Sequence, residues 1–350
     1  LDEAKIFKNV YDCHMNVNKE MDLFKTFDEF VERWKHFVIT SHVDPDADAT
    51  GSEYGLYHAL LKRNKSAVIL NATEPDPKFT YFQTEDVFHT IHQMQFLTKD
   101  DFALIIVDTG DIDHIGHIAD LILPKAKEVF IIDHHNVGSA KDLYPSIVVS
   151  ERAATAEIIY ELYRHWNLDI STDVAFGLFT GLVFDTGSFI YPKTSKRTFE
   201  IAQYLMDLGV KPKEVHSQLY ERLTPERLKL LADVQSGMEL IFDNKIAIQS
   251  LTQETLKRTG ATMADADNMI NYPLKCTTVV VSVFFKELED GTTKISLRSK
   301  GNVDVGQFAQ VWGGGGHINA AGFVWKEGID QTKIKVIKSL CEFIKQFEKT

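Results

Sequence analysis

The chain has 350 residues, of which 44% are hydrophobic and 25% charged, with a formal net charge of −12. That length makes two domains the natural expectation, and the composition is that of an ordinary soluble globular protein. The acidity excludes a broad basic surface that wraps long nucleic acid, and no apolar run approaches the roughly 18 residues of a membrane span.

Residues 241–350 carry 14 Lys and Arg against 12 Asp and Glu, leaving 24 against 38 for the first 240. The acidic part suits cations, and the near-neutral part can hold an anionic substrate. Cys13, Cys276 and Cys341 form neither a disulfide framework nor a zinc motif, and the first residues do not read as a secretory signal. A cytoplasmic protein is expected.

Residues 1–36 read as a helical extension, with Phe27, Phe30, Val31 and Trp34 at helical spacing. Its role is open, with an oligomer contact, as in a homodimer, the one reading offered. From 37 to 197 a catalytic α/β domain is expected. Phe37–Thr40, Ala67–Leu70, Phe102–Val107 and Val129–Ile132 are strand-sized apolar runs, while Gly51–Arg63, Ala153–Trp166 and Thr172–Phe184 read as helices. This alternation predicts a Rossmann-like parallel sheet covered on both faces, with ligands beyond the carboxyl ends of its strands.

A helical connector follows over 198–238, broken at Gly209–Pro212. Residues 239–350 read as a smaller α/β domain with a mixed sheet. Its strands are Lys245–Ser250, Thr277–Phe285 and Lys294–Arg298, with a hairpin at Asp290-Gly291, a Gly-rich loop at Gly313–Gly316 and a helix from Ile329. Substrate is expected in a cleft between the two domains.

Residues 41–49 read Ser-His-Val-Asp-Pro-Asp-Ala-Asp-Ala. A strand ends, Pro45 stiffens the loop, and His42, Asp46 and Asp48 project near one point. Three such side chains within seven residues disfavour folding unless a cation neutralises them. Alone, the segment reads equally well as a solvated acidic loop. Three further clusters break the tie: Val107-Asp108-Thr109-Gly110-Asp111, Ile132-Asp133-His134-His135-Asn136 and Phe184-Asp185-Thr186-Gly187-Ser188-Phe189. Each is weak by itself, but four in this order, aimed at one sheet edge, point to a metal centre.

In the order His-x-x-x-Asp-x-Asp, Val-Asp-x-Gly, Asp-His-His and Asp-Thr-Gly-x-Phe, the sequence resembles the DHH phosphoesterases. Arg298-Ser299-Lys300 and Gly313-Gly-Gly-Gly-His317 resemble the DHH-associated C-terminal domain. Together, over Phe37 to Val324, they are similar to the nanoRNase branch, known as oligoribonuclease and 3′-phosphoadenosine-5′-phosphate (pAp) phosphatase. The resemblance implies one metal on His42, Asp46 and Asp108 and a second on Asp48, Asp108, His134 and Asp185, with Asp108 bridging. Mixed imidazole and carboxylate donors suit Mn²⁺. Two such ions, about 3.5–4 Å apart, generate hydroxide and stabilise transition-state charge.

By the same resemblance Asp133 orients a ligand imidazole, and His135 contacts the scissile phosphate or protonates the leaving oxygen, so that Asp108, Asp133 and His135 form the catalytic set. Arg298, Ser299, Gly314, Gly315, Gly316 and His317 would bind substrate. A guanidinium grips phosphate bidentately, and glycine N–H groups approach anions closely, although a Gly-rich run is equally a flexible turn. His114 and His117 read as surface residues or phosphate contacts, Asp44 as a loop hydrogen-bonder, and His89, His92 and Trp312 as packing or surface. Thr155 and Glu157 read as capping or lining the cleft.

The implied activity is hydrolysis of short RNA or DNA oligonucleotides, or linear dinucleotides, to mononucleotides, and of pAp to AMP. The alternatives are a cyclic dinucleotide (c-di-AMP) phosphodiesterase and a catalytically silent nucleotide-binding regulator. Pyrophosphatase or polyphosphatase relatives carry a different C-terminal domain, and a RecJ-like exonuclease carries added nucleic-acid-binding domains.

Overall fold

The computed structural model describes residues 23–96, 101–135 and 143–346. It divides between Arg222 and Leu223 into two compact units. The helices expected as a connector fall on both sides of that division.

The first unit is built on a six-stranded, wholly parallel sheet in the order β3-β2-β1-β4-β5-β6. The strands are β1 (His36–Thr40), β2 (Ser66–Asn71), β3 (Phe88–Thr90), β4 (Ala103–Val107), β5 (Glu128–Asp133) and β6 (Ser146–Val148). Continuous apolar runs form them because both faces are covered. Phe37, Ile39, Ile105, Val107, Phe130 and Ile132 enter one core, and Val38, Leu104, Ile106 and Ile131 enter another on the opposite face. The three-residue edge strands β3 and β6 are too short to show as runs.

Strand order reverses between β1 and β4, which makes their carboxyl ends the natural ligand crevice. The helix after β1, α2 (Ala47–Lys62), starts four residues earlier than expected. Asp46 is its N-cap, accepting from the Asp48 and Ala49 amides at 2.9 and 3.1 Å. Asp48 therefore lies in the first helical turn and not in a loop. The helix over residues 23–33 (α1) packs Phe27 and Phe30 on Phe130, with ring centroids 4.8 and 5.1 Å apart. The rest of the expected extension, with Cys13, lies outside the described residues.

Four further long helices complete this unit: α4 (Thr155–His165), α5 (Thr172–Asp185), α6 (Lys196–Asp207) and α7 (Pro212–Tyr220); the short α3 spans His117–Leu121. The core over α2, α4 and α5 is tight. A Cβ at Gly181 of α5 would lie 2.7 Å from the Asp48 carboxylate.

The second unit opens with α8 (Pro225–Ser236) and carries a six-stranded mixed sheet, order β11-β12-β10-β9-β8-β7. Its strands are β7 (Glu239–Ile241), β8 (Ile246–Leu251), β9 (Val281–Glu287), β10 (Thr293–Ser299), β11 (Gly315–His317) and β12 (Ala320–Trp325). Only β8 and β9 run parallel. The helices α9 (Gln253–Thr259), α10 (Val305–Val311) and α11 (Ile329–Ile344) surround it. Ile295, Leu297 and Phe323 face Val336 and Leu340 of α11, while Phe284 packs on Leu230 and Val234 of α8.

The Gly-rich segment is not a free loop. Gly315–His317 pairs with β12, and a Cβ at Gly314 or Gly316 would lie 2.2 or 2.3 Å from a β12 carbonyl oxygen. Close strand approach accounts for glycine at those two positions. No helix among the described residues is long and apolar enough to cross a membrane.

Candidate metal site

Strand ends and helix termini deliver the side chains. β1 leads into His42, whose Nε2 lies 4.0 Å from Asp46 Oδ1 and 3.8 Å from Asp108 Oδ2. Just past β4, Asp108 takes a left-handed backbone (φ 61°) and donates its amide to Ile132 O at 2.9 Å. Outside glycine that conformation is uncommon, although Asp tolerates it better than most residues. It turns a carboxylate that is 3% exposed into the centre of the cluster.

After β5, His134 Nε2 faces three carboxylates: Asp185 Oδ2 at 3.0 Å, Asp108 Oδ1 at 3.7 Å and Asp48 Oδ2 at 3.9 Å. Its Nδ1 meets the Arg152 carbonyl at 3.3 Å, which places a proton on Nδ1 and makes Nε2 the nitrogen that can ligate once it is deprotonated. Buried Nε2 makes no well-aligned hydrogen bond, despite the nearness of Asp185. Asp185 is the last residue of α5.

Asp48 is fully buried, and both its oxygens are held by the N-terminus of α4. Thr155 N donates to Oδ2 at 2.6 Å and Ala156 N to Oδ1 at 2.9 Å. The helix has Ala154 at its cap and no side-chain cap of its own, so a carboxylate from α2 fills that role. Thr155 Oγ1 also donates to Asp108 Oδ1 at 2.8 Å.

Crowding acids in a dry pocket raises their pKa values. Burial, then the neighbouring Asp185 charge, lifts Asp48 to about 7 and lifts Asp46 in the same direction. Burial, then Asp48, Asp46 and Asp185, drives Asp108 well above the usual carboxylate range. For His134 burial acts downward, but Asp185 and Asp48 outweigh it and leave the imidazole raised. A cation would remove this frustration.

The donors meet in two sets, His42–Asp46–Asp108 and Asp48–His134–Asp185, each with its ligand atoms within 4.8 Å of one another. Asp108, His134 and His135 form a third such set. However, the nitrogen that His135 places 4.0 Å from Asp108, Nδ1, is 2.7 Å from Asp133 Oδ1 and bonded to it. Asp133 thus orients His135, where orientation of a ligand imidazole was expected; the reason is that His134 Nδ1 already has the Arg152 carbonyl. The His135 side chain is 45% exposed and lines the open pocket with His42, Asp46, Asp108 and Asp185. Asn136 lies outside the described residues.

Further residues contribute to the site. Thr109, Asp111 and His114 line the same pocket, whereas His117 is exposed and does not. Buried Glu53 accepts from Asn71 Nδ2 at 3.0 Å, and Asn71 Oδ1 accepts from Ser41 N at 3.1 Å, pinning the strand end that carries His42. Lys193 Nζ donates to the His134 carbonyl at 3.2 Å.

In the second unit Arg298 is half-buried on β10 and donates to its own neighbour, Leu297 O. His317 is exposed and lines an open pocket with Gly316, Gln307, Gln310 and Asn319. The buried hydroxyl of Ser299 is engaged within the fold: it donates to Val303 O at 2.6 Å and accepts from Asn319 Nδ2 at 3.0 Å. Gly314 N likewise donates to Ala309 O, so its amide is used within the fold. Gly315 is exposed with open space around it. Trp312 stacks on Phe323 in the core.

Comparison with known proteins agrees with this geometry. The family models described as DHH family, N-terminal domain, and DHHA1 domain match residues 36–182 and 243–349. A bifunctional oligoribonuclease and PAP phosphatase NrnA of Thermus thermophilus is 29% identical over 307 residues, covering 87% of this chain and 89% of the relative. A probable protein of the same name from Streptococcus mutans is 30% identical over 308 residues, covering 86% and 93%. The crystal structure of an exopolyphosphatase-related protein from Bacteroides fragilis superposes with a TM-score of 0.83 at 26% identity, covering 94% of this chain and 98% of that one. With both domain models matched in order and this identity over most of its length, the chain belongs to the DHH family of phosphoesterases, in the form that carries a DHHA1 domain.

Proposed function

We propose that the protein is a metal-dependent hydrolase that cleaves short oligoribonucleotides to mononucleotides and pAp to AMP. The observation that carries this reading is His134 Nε2, buried without an aligned hydrogen bond and facing Asp48, Asp108 and Asp185. His42, Asp46 and Asp108 would hold one divalent ion and Asp48, Asp108, His134 and Asp185 the other, with Mn²⁺ suiting the donor mixture. Bound there, the ions would supply Lewis acidity and an activated water.

The protein's own groups would do the rest. Asp133 holds the Nδ1 side of His135, leaving Nε2 toward the pocket, where it can contact the scissile phosphate or protonate the departing oxygen. Thr155 and the first turn of α4 hold Asp48 and Asp108 in position. Arg298 and His317 of the second unit offer charge-assisted hydrogen bonds to a substrate phosphate. The similar NrnA proteins of Thermus thermophilus and Streptococcus mutans support the substrate class. The test is one panel with Mn²⁺: a dinucleotide, a pentanucleotide, pAp and c-di-AMP. Preferred turnover of c-di-AMP, or none of any member, overturns the reading.

A further inference from the structure

His42 reaches its cluster from a loop just past β1, and the backbone around it is held from two sides. On the outer side Val43 N donates to His114 O and Asp44 N to Thr73 Oγ1, both at 2.7 Å. On the inner side Thr40 Oγ1 and Ser41 N donate to Asn71 Oδ1 at 3.3 and 3.1 Å, and Asn71 Nδ2 donates to Glu53 Oε2 of α2 at 3.0 Å. Thr40, Ser41, Glu53 and Asn71 are all fully buried, so this inner chain must satisfy its polar atoms within the protein.

Glu53 is the unusual member. Among the described residues no cation acts on its carboxyl. The charge it feels is Asp46, at the head of the same helix, and the strand ends packed against it bring Ser41 and Asn71, neither of which titrates. Burial outweighs the Asn71 and Ser41 contacts and pushes its pKa up from 4.5 to about 8. Glu53 Oε1 and the neighbouring Ser41 Oγ are also both buried without an aligned hydrogen bond. An ionised carboxylate here would stand in a dry site beside a second acid. A carboxylic acid has a proton to give, and Ser41 Oγ is the acceptor beside it.

We propose that Glu53 works as a neutral carboxylic acid, donating from Oε1 to Ser41 Oγ while Oε2 accepts from Asn71, and that it is a positioning residue for His42 and so for the His42–Asp46–Asp108 set. The inference rests on the metal-dependent reading above. His134 of the other set is held separately, through the Arg152 carbonyl, so the two sets should respond differently to the loss of Glu53.

The test uses the full chain, with Mn²⁺ binding followed by electron paramagnetic resonance at neutral pH. Glu53→Leu should weaken one of two Mn²⁺ affinities by about 10-fold, the low end for groups that orient ligands, and leave the other unchanged. Glu53→Gln keeps an acceptor for Asn71 and a donor for Ser41, so it should bind both ions as the wild type does. In a His42→Ala background Glu53→Leu should add no further loss. In EDTA, the wild-type Tm should fall more steeply than that of Glu53→Gln between about pH 5 and 8. The reason is that a carboxyl whose pKa rises on folding loses stability as pH climbs, whereas the amide has no proton to lose. Wild-type affinities in Glu53→Leu, equal damage from Leu and Gln, or parallel melting curves for wild type and Glu53→Gln overturn the inference. If Glu53→Leu does not fold, Ser41→Ala is the smaller cut and should weaken the same single affinity; unchanged binding there overturns the inference too. A wild-type chain that binds no Mn²⁺ and turns over no substrate sinks the metal reading itself, and this inference with it.

Discussion

Thr155 Oγ1 donates to Asp108 Oδ1 at 2.8 Å, tying the first turn of α4 to the carboxylate at the end of β4. The same turn fixes Asp48 through two backbone amides, so one helix start orients an acid from each proposed metal set. Groups that orient ligands in this way typically change metal affinity or activity by about 10- to 100-fold. Thr155→Val keeps the shape and the backbone contacts to Asp48 while removing the hydroxyl. Mn²⁺ titration and turnover should both weaken by that factor; an unchanged profile would make the contact incidental.

Asp108 is the acid proposed to serve both metal positions, with Oδ2 3.8 Å from His42 Nε2 and Oδ1 3.7 Å from His134 Nε2. Asp108→Asn tolerates the left-handed backbone but is a poor ligand, so turnover and bound metal should both be lost while the chain stays folded. Circular dichroism with metal analysis checks this. Two bound ions and near-normal activity in the variant would refute the bridging assignment.

His135 presents a different outcome. Its Nδ1 is engaged by Asp133 and its ring is largely open, so His135→Ala should retain metal while slowing hydrolysis by roughly 10²–10⁴-fold. Loss of one ion in that variant would make His135 a ligand.

The metal-free protein should lose stability as pH rises. Burial lifts Asp48 from 3.8 to about 7, and burial, opposed by the Asn71 hydrogen bond, lifts Glu53 from 4.5 to about 8. The folded chain therefore holds more protons than the unfolded chain between about pH 4 and 8, and stability falls through that interval. Divalent metal needs the deprotonated ligands, so added Mn²⁺ should raise Tm most at the alkaline end. Melting curves in EDTA that stay flat or climb from pH 5 to 8 would contradict the crowded-acid account.

Arg298→Ala and His317→Ala should leave metal content intact and reduce use of a short nucleotide substrate. A lost charge-assisted hydrogen bond is worth about 1.5–3 kcal/mol, roughly 10- to 150-fold. Hydrolysis of bis-p-nitrophenyl phosphate should suffer much less. Ser299→Ala should instead lower Tm, because its hydroxyl holds the Val303 and Asn319 segment together. Equal loss on both substrates would make Arg298 and His317 structural.

The four acidic and histidine clusters, and the strands that lead into three of them, were legible in the sequence, since a strand buried on both faces is a continuous apolar run and its carboxyl end is where ligands gather. The motif order also carried the family. What the sequence left open depended on contacts between distant segments. That Asp48 caps a helix a hundred residues away, that Asp133 serves His135, and that Ser299 and Gly314 are spent inside the fold follow from which neighbour reaches each polar atom first. Hydrogen-bond partners across the chain have no local periodicity, so only the tertiary structure, by deciding which donors and acceptors are already satisfied, determined which motif residues remain free for chemistry.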